Sequence, residues 1–299
     1  MRQAAVIGLG SMGFGMACSL LRAGFSVAGY DVSAETAARF AREGGRAAAS
    51  PADAARDAGI VVSVVVNAAQ TEAVLFGENG AAEAMPKGSV FVSSATMDPE
   101  IARRLARKLE AGGRLYLDAP ISGGAQRAAE GALTMLASGS GAAFAAARPA
   151  LDAMTAKLYE LGPEPGQGAA FKMINQLLAG VHIATACEAM AFAARQGLDI
   201  RKVYEVITAS AGNSWMFENR MPHVLDADYA PRSAVEIFVK DLGIIQDMAR
   251  NHRFPVPMSA AALQMFLATA ASGMGRDDDA SVARLYARIG GTELPGDPA

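Results

Sequence analysis

The sequence is poor in the residues that build disulfide scaffolds and metal sites. Among its 299 residues are two cysteines, three histidines and one tryptophan. Cys18 and Cys187 stand far apart, and no spacing of cysteines and histidines matches a zinc motif. We therefore expect neither a disulfide framework nor a metal ion. Two separate cysteines also favour a reducing compartment such as the cytoplasm.

Charge of either sign is also sparse. Charged residues make up 19% of the chain, the formal net charge is −3, and the lysines and arginines form no cluster. Nucleic acids and anionic membranes are bound by basic patches, so neither is an expected partner. The apolar run over residues 3–21 resembles a secretory leader, but repeated glycines interrupt it, so we expect no leader there. A small metabolite remains as the expected partner.

Two different patterns divide the chain. In the first half, short β-rich runs such as AAVIG, FSVAGY and IVVSVVV alternate with alanine-rich helical segments, which predicts βαβ units and a parallel sheet. The Pro/Gly cluster at 162–166 predicts a linker, and the strand signal almost vanishes beyond it. We predict an α/β domain over residues 1–162, an all-helical domain over 163–290 for substrate and subunit contacts, and a tail over 291–299.

A glycine-rich turn follows the first predicted strand. In VIGLGSMGFGMACSLL, three glycines have the G-x-G-x-x-G spacing at the opening of a helix. The first permits a tight turn, the second lets the backbone approach a pyrophosphate, and the third lets the helix pack on the strand. This motif predicts a Rossmann-type doubly wound parallel sheet; the alternative is a strand-turn-helix that binds no nucleotide. The candidate cofactor loop comprises Gly8, Leu9, Gly10, Ser11, Met12 and Gly13.

Asp31 follows the second predicted strand. A carboxylate at this position can accept hydrogen bonds from the adenine-side ribose hydroxyls, and it would repel the 2′-phosphate of NADP. No arginine follows directly in YDVSAET. We therefore expect NAD rather than NADP as the cofactor, although Asp31 by itself could be an ordinary turn aspartate.

The apolar segment over residues 167–196 carries two polar side chains near its start. If the segment is helical, Lys172 and Asn175 lie at positions i and i+3 on one face. A buried ammonium needs a partner or a lowered pKa. A lysine shielded from water can also take the proton of an alcohol while hydride passes to nicotinamide. The pattern predicts a catalytic Lys172 and a ligating Asn175, with surface positions at a helix start as the alternatives.

Two further segments have two interpretations each. Ser122, Gly123 and Gly124 follow a strand end and either bind a substrate carboxylate through successive backbone N–H groups or form an ordinary tight turn. Lys240, in IFVKDLGIIQDM, either reaches the cofactor or substrate or is a solvated helix charge. The residues alone leave both choices open.

Four blocks together resemble the β-hydroxyacid dehydrogenase family, which includes 3-hydroxyisobutyrate dehydrogenase and tartronate semialdehyde reductase. The blocks are GLGSMGFGMA, DAPISGGAQRAAEGALTMLASG, GQGAAFKMINQ and FVKDLGI, and they cover nearly the whole chain. The resemblance implies a Rossmann domain joined to a helical domain, with Lys172 as the catalytic lysine. It also implies that Asn175, Ser122, Gly123 and Gly124 bind the substrate.

The same resemblance implies further cofactor contacts and an assembly. Thr96 is expected near the nicotinamide, Lys240 completes the cofactor site, and subunits form dimers or tetramers through the helical domain. Two departures concern these sites. The family often has Asn-Asn where this chain has Asn175–Gln176, and its usual Leu-Pro after a central strand is Val65–Val66 here. Val66 is the expected cofactor contact of that segment.

The substrate expectation comes from a third departure and from the C-terminal half. Many relatives carry Phe where this chain has Ser233, and a small polar residue suits a hydroxylated substrate. The C-terminal run also resembles the L-threonate dehydrogenase branch. We therefore expect NAD-dependent oxidation of a small polyhydroxy acid, first of all L-threonate to 2-dehydro-L-erythronate. The alternatives are 3-hydroxyisobutyrate or tartronate semialdehyde as substrate and, in another class, an NAD-binding module without catalysis.

Overall fold

In the computed structural model, which describes residues 2–296, the N-terminal part of the chain forms a parallel sheet of six strands. The strands are β1 (Gln3–Ile7), β2 (Ser26–Tyr30), β3 (Arg46–Ala47), β4 (Ile60–Ser63), β5 (Val90–Ser93) and β6 (Leu115–Asp118). Their order, β3-β2-β1-β4-β5-β6, changes direction between β1 and β4, as in doubly wound nucleotide-binding sheets. The predicted Rossmann-type fold is confirmed.

Helices cover both faces of this sheet. On one face, Val6 and Val62 pack in a core with Met16, whereas Val61 packs on the opposite face with Leu105. Because both faces are buried, β4 and β5 form uninterrupted apolar runs in the sequence. The helices are α1 (Gly13–Arg22), α2 (Ala34–Arg42), α3 (Pro51–Ala55), α4 (Ala68–Phe76), α5 (Ala81–Ala84), α6 (Pro99–Glu110), α7 (Gly124–Glu130) and α8 (Gly141–Met154).

A small second sheet follows β6. It contains β7 (Ile121–Ser122), β8 (Leu133–Ala137) and β9 (Thr155–Glu160). Strand β8 lies between the other two, antiparallel to β7 and parallel to β9. The predicted substrate segment spans the junction of β7 and α7, with Ser122 at the end of β7, Gly123 between the elements and Gly124 at the start of α7.

Helix α9 (Gln167–Arg195) joins the two parts of the chain. The chain divides into two compact units, the first ending at Met173 and the second beginning at Ile174. The boundary between them along the chain therefore falls inside α9. The sequence predicted the domain boundary at residues 162/163 instead. The first turns of α9 group with the first unit because side chains of that unit bind them. By length and composition alone α9 could cross a membrane, but half of its most apolar stretch is buried inside the protein.

The second unit is helical. After α9 come α10 (Ile200–Thr208), α11 (Trp215–Leu225), α12 (Val235–Asn251), α13 (Pro257–Thr269) and α14 (Val282–Gly290), with a π-helical segment at Ala270–Met274 and a 3₁₀ turn at Asp279–Ser281. This confirms the predicted all-helical architecture. The sequence pattern predicts helices at about 167–196, 200–211, 233–252, 257–273 and 277–289, and it does not predict α11. Of the predicted tail, residues 291–296 form no helix or strand and Leu294 is buried. Residues 297–299 lie outside the described residues.

Candidate active site

The carboxyl ends of the central strands line up along one edge of the sheet. Ile7 is in register with Tyr30 and with Ser63, Ser63 with Ser93, and Ser93 with Asp118. The loops that leave these strands therefore begin side by side. Ligands of open parallel sheets bind outside this edge, where the strand order changes direction. These loops carry most of the residues predicted to bind the cofactor.

The three glycines of the first loop differ in what surrounds them. A methyl group added at Gly8 would lie 2.7 Å from the carbonyl oxygen of Val64, and one added at Gly13 would overlap the Gly8 carbonyl oxygen. At Gly10, no heavy atom of the described residues lies within 4 Å of such a methyl group. The first and third glycines are thus required by the protein itself. The open side of Gly10 fits the close approach of a pyrophosphate.

Asp31 holds the glycine loop as well as lying where a ribose is expected. Its Oδ2 accepts a hydrogen bond from the backbone N–H of Leu9 at 2.7 Å, and its Oδ1 accepts one from the N–H of Ser33 at 2.9 Å. Each carboxylate oxygen keeps capacity for another donor, so these contacts are compatible with ribose binding. The sequence did not predict the contact with Leu9. Ser11 is exposed and Met12 is partly buried at the start of α1.

Val66 and Thr96 lie in the loops that follow β4 and β5. Val66 is 47% exposed, and its backbone N–H donates to Oε1 of Gln70 at 2.8 Å. Thr96 is partly buried between β5 and the first turn of α6, which Asp98 caps by accepting the Glu100 N–H at 2.7 Å. Both loops are fixed by side-chain caps. The positions are consistent with the cofactor contacts expected of the two residues, which stay predictions.

The turn after β7 has an unusual backbone. Gly123 and Gly124 have φ values of +139° and +78°, a region that favours glycine. A methyl group at Gly123 would lie 2.9 Å from Arg127 Cδ, while at Gly124 it would meet no heavy atom of the described residues within 4 Å. Ser122 is partly buried at the end of β7. The turn has one open side, which fits both interpretations that the sequence allowed.

The start of α9 is held by two side chains of the first unit. Oδ2 of Asp118 accepts the N–H groups of Gly166 at 2.9 Å and Ala169 at 2.8 Å. Oγ of Ser138 accepts the N–H of Gly168 at 2.9 Å. These contacts satisfy backbone donors that a helix start otherwise leaves without partners. Asp118 lies at the carboxyl end of β6, so α9 begins at the edge of the sheet where the cofactor loops lie.

Asp118 is fully buried, which changes its acidity. Burial raises the pKa of Asp118 to about 6, against the lowering effects of its backbone hydrogen bonds, of Ser138 and of the Arg103 charge. Its second oxygen, Oδ1, has no hydrogen-bond partner within residues 2–296. Burial also raises the pKa of the neighbouring Tyr116 well above its usual range. The sequence did not predict the capping role, because Asp118 and Ala169 are 51 residues apart.

Lys172 lies one turn beyond this capped start. It is 7% exposed, and Asn175 follows three residues later on the same helix. The spacing of three residues places both on one face of α9. A lysine at this exposure is shielded from bulk water, as the sequence predicted for a catalytic amine. Its catalytic role stays a prediction.

In the second unit, Asn175 and Lys240 each contact a residue that the sequence did not predict. Nδ2 of Asn175 donates to Oε1 of Gln176 at 3.0 Å, and Nζ of Lys240 lies 2.6 Å from Oδ1 of Asp241. Gln176 and Asp241 are both buried. The sequence left open whether Lys240 is a solvated helix charge, and the structure shows that its partner Asp241 is enclosed.

Ser233 makes contacts that the sequence did not predict. Its carbonyl oxygen accepts the N–H of Asp279 at 2.7 Å, and its hydroxyl hydrogen-bonds the Asp279 carboxylate. That carboxylate also contacts Arg220 through two nitrogens, at 2.6 and 3.2 Å. Ser233 is therefore part of a buried ion-pair network. The expected relation of Ser233 to a hydroxylated substrate stays a prediction.

Family models match both parts of the chain. Residues 3–162 match the NAD binding domain of 6-phosphogluconate dehydrogenase. Residues 166–286 match the family described as NAD-binding of NADP-dependent 3-hydroxyisobutyrate dehydrogenase. The two matches adjoin at the Pro/Gly segment.

Individual relatives are similar over nearly the whole chain. L-threonate dehydrogenase of Cupriavidus necator is 54% identical over 295 residues, which are 99% of this chain and 98% of that protein. Mitochondrial 3-hydroxyisobutyrate dehydrogenase of Rattus norvegicus is 31% identical, with coverages of 92% and 84%. A crystal structure of 3-hydroxyisobutyrate dehydrogenase from Salmonella typhimurium has a TM-score of 0.90 and 48% identity, covering 95% of this chain and 100% of that chain.

Proposed function

The chain belongs to the β-hydroxyacid dehydrogenase family, the 3-hydroxyisobutyrate dehydrogenase-like enzymes, and on this premise we propose that it oxidises L-threonate to 2-dehydro-L-erythronate. The family resemblance drawn from the four sequence blocks is confirmed, and the chain is an NAD-dependent hydroxyacid oxidoreductase. The observation that carries the choice of substrate is the full-length similarity to relatives named L-threonate dehydrogenase.

The cofactor is NAD, and the first unit fits it. The open side of Gly10 admits a pyrophosphate, while the Asp31 carboxylate can bind ribose hydroxyls and opposes a 2′-phosphate. When bound, NAD supplies the nicotinamide that accepts the hydride of the alcohol. The protein's own residues must then hold the substrate and remove the hydroxyl proton.

For the chemistry we assign three roles to residues of this chain. The buried amine of Lys172 takes the proton of the reacting hydroxyl and, in the reverse direction, polarises the carbonyl. Asn175 binds a substrate hydroxyl. The open-sided turn of Ser122, Gly123 and Gly124 binds the carboxylate through its hydroxyl and backbone N–H groups.

Steady-state rates measured on a panel of hydroxyacids test whether L-threonate is the substrate. NADH formation is measured with L-threonate and with other C3 and C4 hydroxyacids, and with NADP in place of NAD. We expect L-threonate to have the highest kcat/KM, by a factor of about 100 or more over acids that lack its hydroxyl groups. A higher kcat/KM for another acid would refute the proposed substrate.

A second candidate is oxidation of 3-hydroxyisobutyrate. It is favoured by the solved Salmonella structure, whose description names that activity, at 48% identity. The same panel separates the candidates, because 3-hydroxyisobutyrate has a methyl branch on C2 and one hydroxyl group, whereas L-threonate has three hydroxyl groups and no methyl branch. Tartronate semialdehyde, tested with NADH in the reducing direction, is the third acid of the comparison.

The assembly and the compartment complete the proposal. We propose a homodimer or homotetramer, because α9 exposes large apolar side chains at Ile174 (61%), Leu178 (49%) and Phe192 (64%). Exposed large apolar side chains of this kind are often buried in subunit interfaces. We place the protein in the cytoplasm on the basis of its two separate cysteines, Cys18 and Cys187, which are free thiols.

A further inference from the structure

Four polar residues of the second unit form a continuous chain of contacts. Lys240 pairs with Oδ1 of Asp241, Nε2 of Gln176 donates to Oδ2 of Asp241 at 2.6 Å, and Asn175 donates to Oε1 of Gln176. Asp241 is 1% exposed and Gln176 is 7% exposed. We call Lys240, Asp241, Gln176 and Asn175 the amide relay. Its two ends are the residues assigned to cofactor and substrate.

The carboxylate sets the direction of every hydrogen bond in the amide relay. A carboxylate paired with Lys240 can only accept, so Gln176 must present its nitrogen to Asp241 and its oxygen to Asn175. Asn175 must then present its own nitrogen to Gln176. Its Oδ1 consequently lies on the other side of the amide, where it can accept a hydrogen bond from a hydroxyl group. An amide without such a network could turn either way, since its oxygen and nitrogen are alike in size.

Close helix packing brings the carboxylate and the amide together. A methyl group added at Gly180 would lie 2.9 Å from Leu242 Cδ2 and 3.1 Å from Phe238 Cδ1, so α9 and α12 approach closely there. Gln176 lies one turn before Gly180 on the same face of α9. Asp241 directly precedes Leu242 on α12. The contact between Gln176 and Asp241 therefore lies next to this close approach of α9 and α12.

We propose that Gln176 and Asp241 are positioning residues that make Asn175 a hydrogen-bond acceptor for a substrate hydroxyl and hold the Lys240 ammonium in place. Asp241 is the shared element, since one of its oxygens serves each end. The inference rests on the proposed substrate and cofactor roles of Asn175 and Lys240. It gives the buried glutamine beside Asn175 a function in this chain.

A double-mutant cycle on the full-length enzyme tests this proposal. The variants are Asn175→Ala, Gln176→Leu, the double variant and Asp241→Asn. Gln246→Leu is the matched control, because this partly buried glutamine of α12 donates from Nε2 to Oγ of Ser259 at 3.3 Å and takes no part in the amide relay. KM and kcat are measured for the best hydroxyacid of the panel, the Kd for NAD by calorimetry, and folding by circular dichroism. If Gln176→Leu does not fold, Gln176→Met takes its place.

The proposal predicts a specific pattern in KM and Kd. Asn175→Ala and Gln176→Leu each raise KM for the acid about tenfold, the effect of one lost hydrogen bond, and leave the Kd for NAD unchanged. The double variant is no worse than Asn175→Ala, because Gln176 acts through Asn175. Asp241→Asn raises both KM for the acid and the Kd for NAD, and Gln246→Leu changes neither.

Two results would overturn the relay while leaving the proposed function intact. One is an unchanged KM in Gln176→Leu when Asn175→Ala is impaired. The other is additive effects in the double variant, which would mean that Gln176 acts independently of Asn175. The proposed substrate fails separately, when the panel shows that L-threonate is not the best acid, and the cycle is then run on the acid that is.

Discussion

At the scale of single residues, two glycines of the cofactor loop respond differently to a methyl group. Gly13→Ala would overlap the Gly8 carbonyl oxygen, so we expect a loss of about 1–3 kcal/mol in the free energy of unfolding. Gly10→Ala meets no neighbour in the described chain, so we expect a wild-type melting temperature and NAD binding at least about tenfold weaker, or about 1.4 kcal/mol. Thermal melts and calorimetric titration with NAD measure the two effects. Wild-type NAD affinity in Gly10→Ala would contradict the placement of the pyrophosphate.

The residues that could be predicted from the sequence are those whose roles are signalled by their neighbours along the chain. Gly8 and Gly13 are identified by their places in the G-x-G-x-x-G motif. Lys172 is identified because it is a charged residue in an otherwise apolar helical segment. Asp118 and Asp241 could not be predicted as capping or connecting residues. Their partners lie 51 and 65 positions away, so only the folded chain brings the donors to these carboxylates.

At the scale of elements, the start of α9 connects the sheet to the predicted catalytic lysine. Burial raises the pKa of Asp118 to about 6 from an ordinary value of 3.8. Between these values the folded protein keeps a proton that the unfolded chain has released, so the stability contributed by Asp118 is lost as the pH rises through about 6.

Asp118→Asn tests this linkage. The asparagine cannot titrate, yet it keeps one oxygen for the N–H groups of Gly166 and Ala169. We therefore expect the stability of the variant, relative to wild type, to increase from about pH 4 to about pH 7.5. Urea unfolding at the two pH values measures the difference. Asp118→Ala, which loses the cap, is the control and should be less stable than Asp118→Asn at both values; a difference from wild type that does not change with pH would contradict the assignment.

The unpredicted helix α11 shows why some elements are not visible in sequence. Pro222 lies inside it, and a proline cannot donate to the carbonyl four residues earlier, that of Glu218. In the structure the Tyr204 hydroxyl donates to this carbonyl at 3.1 Å. Ser214 caps the helix start by accepting the Phe217 N–H at 3.0 Å. A tertiary contact thus compensates for a residue that locally disfavours the helix.

At the scale of the whole molecule, pattern predicted architecture better than boundaries. The alternation of β-rich and helical runs predicted the parallel sheet, and the loss of strand signal predicted the helical unit. The Pro/Gly segment marked where the sequence changes character, at residues 162–166, but the contacts group residues up to Met173 with the first unit. Backbone N–H groups at the start of α9 donate hydrogen bonds to Asp118 and Ser138 of the first unit, and the composition of the segment does not reveal these contacts.

The proposed oligomer is also tested at this scale. Leu178→Glu places a charge among the exposed apolar side chains of α9, which include Ile174, Leu178 and Phe192. Burying that charge in an interface is costly, so we expect a smaller assembly than wild type by light scattering after size-exclusion chromatography. Val32→Glu, at a side chain of the first unit that is 92% exposed, should leave the mass unchanged. An unaltered mass in Leu178→Glu would exclude these side chains as the interface.

The measurement that tests the central claim most directly is turnover of L-threonate by Lys172→Ala, made alongside NAD binding. We expect kcat to fall by about 10²–10⁴-fold, the usual contribution of a positioned acid-base group, while the Kd for NAD stays at the wild-type value. A variant that binds NAD normally and oxidises L-threonate at a rate near that of wild type would contradict the catalytic role of the lysine.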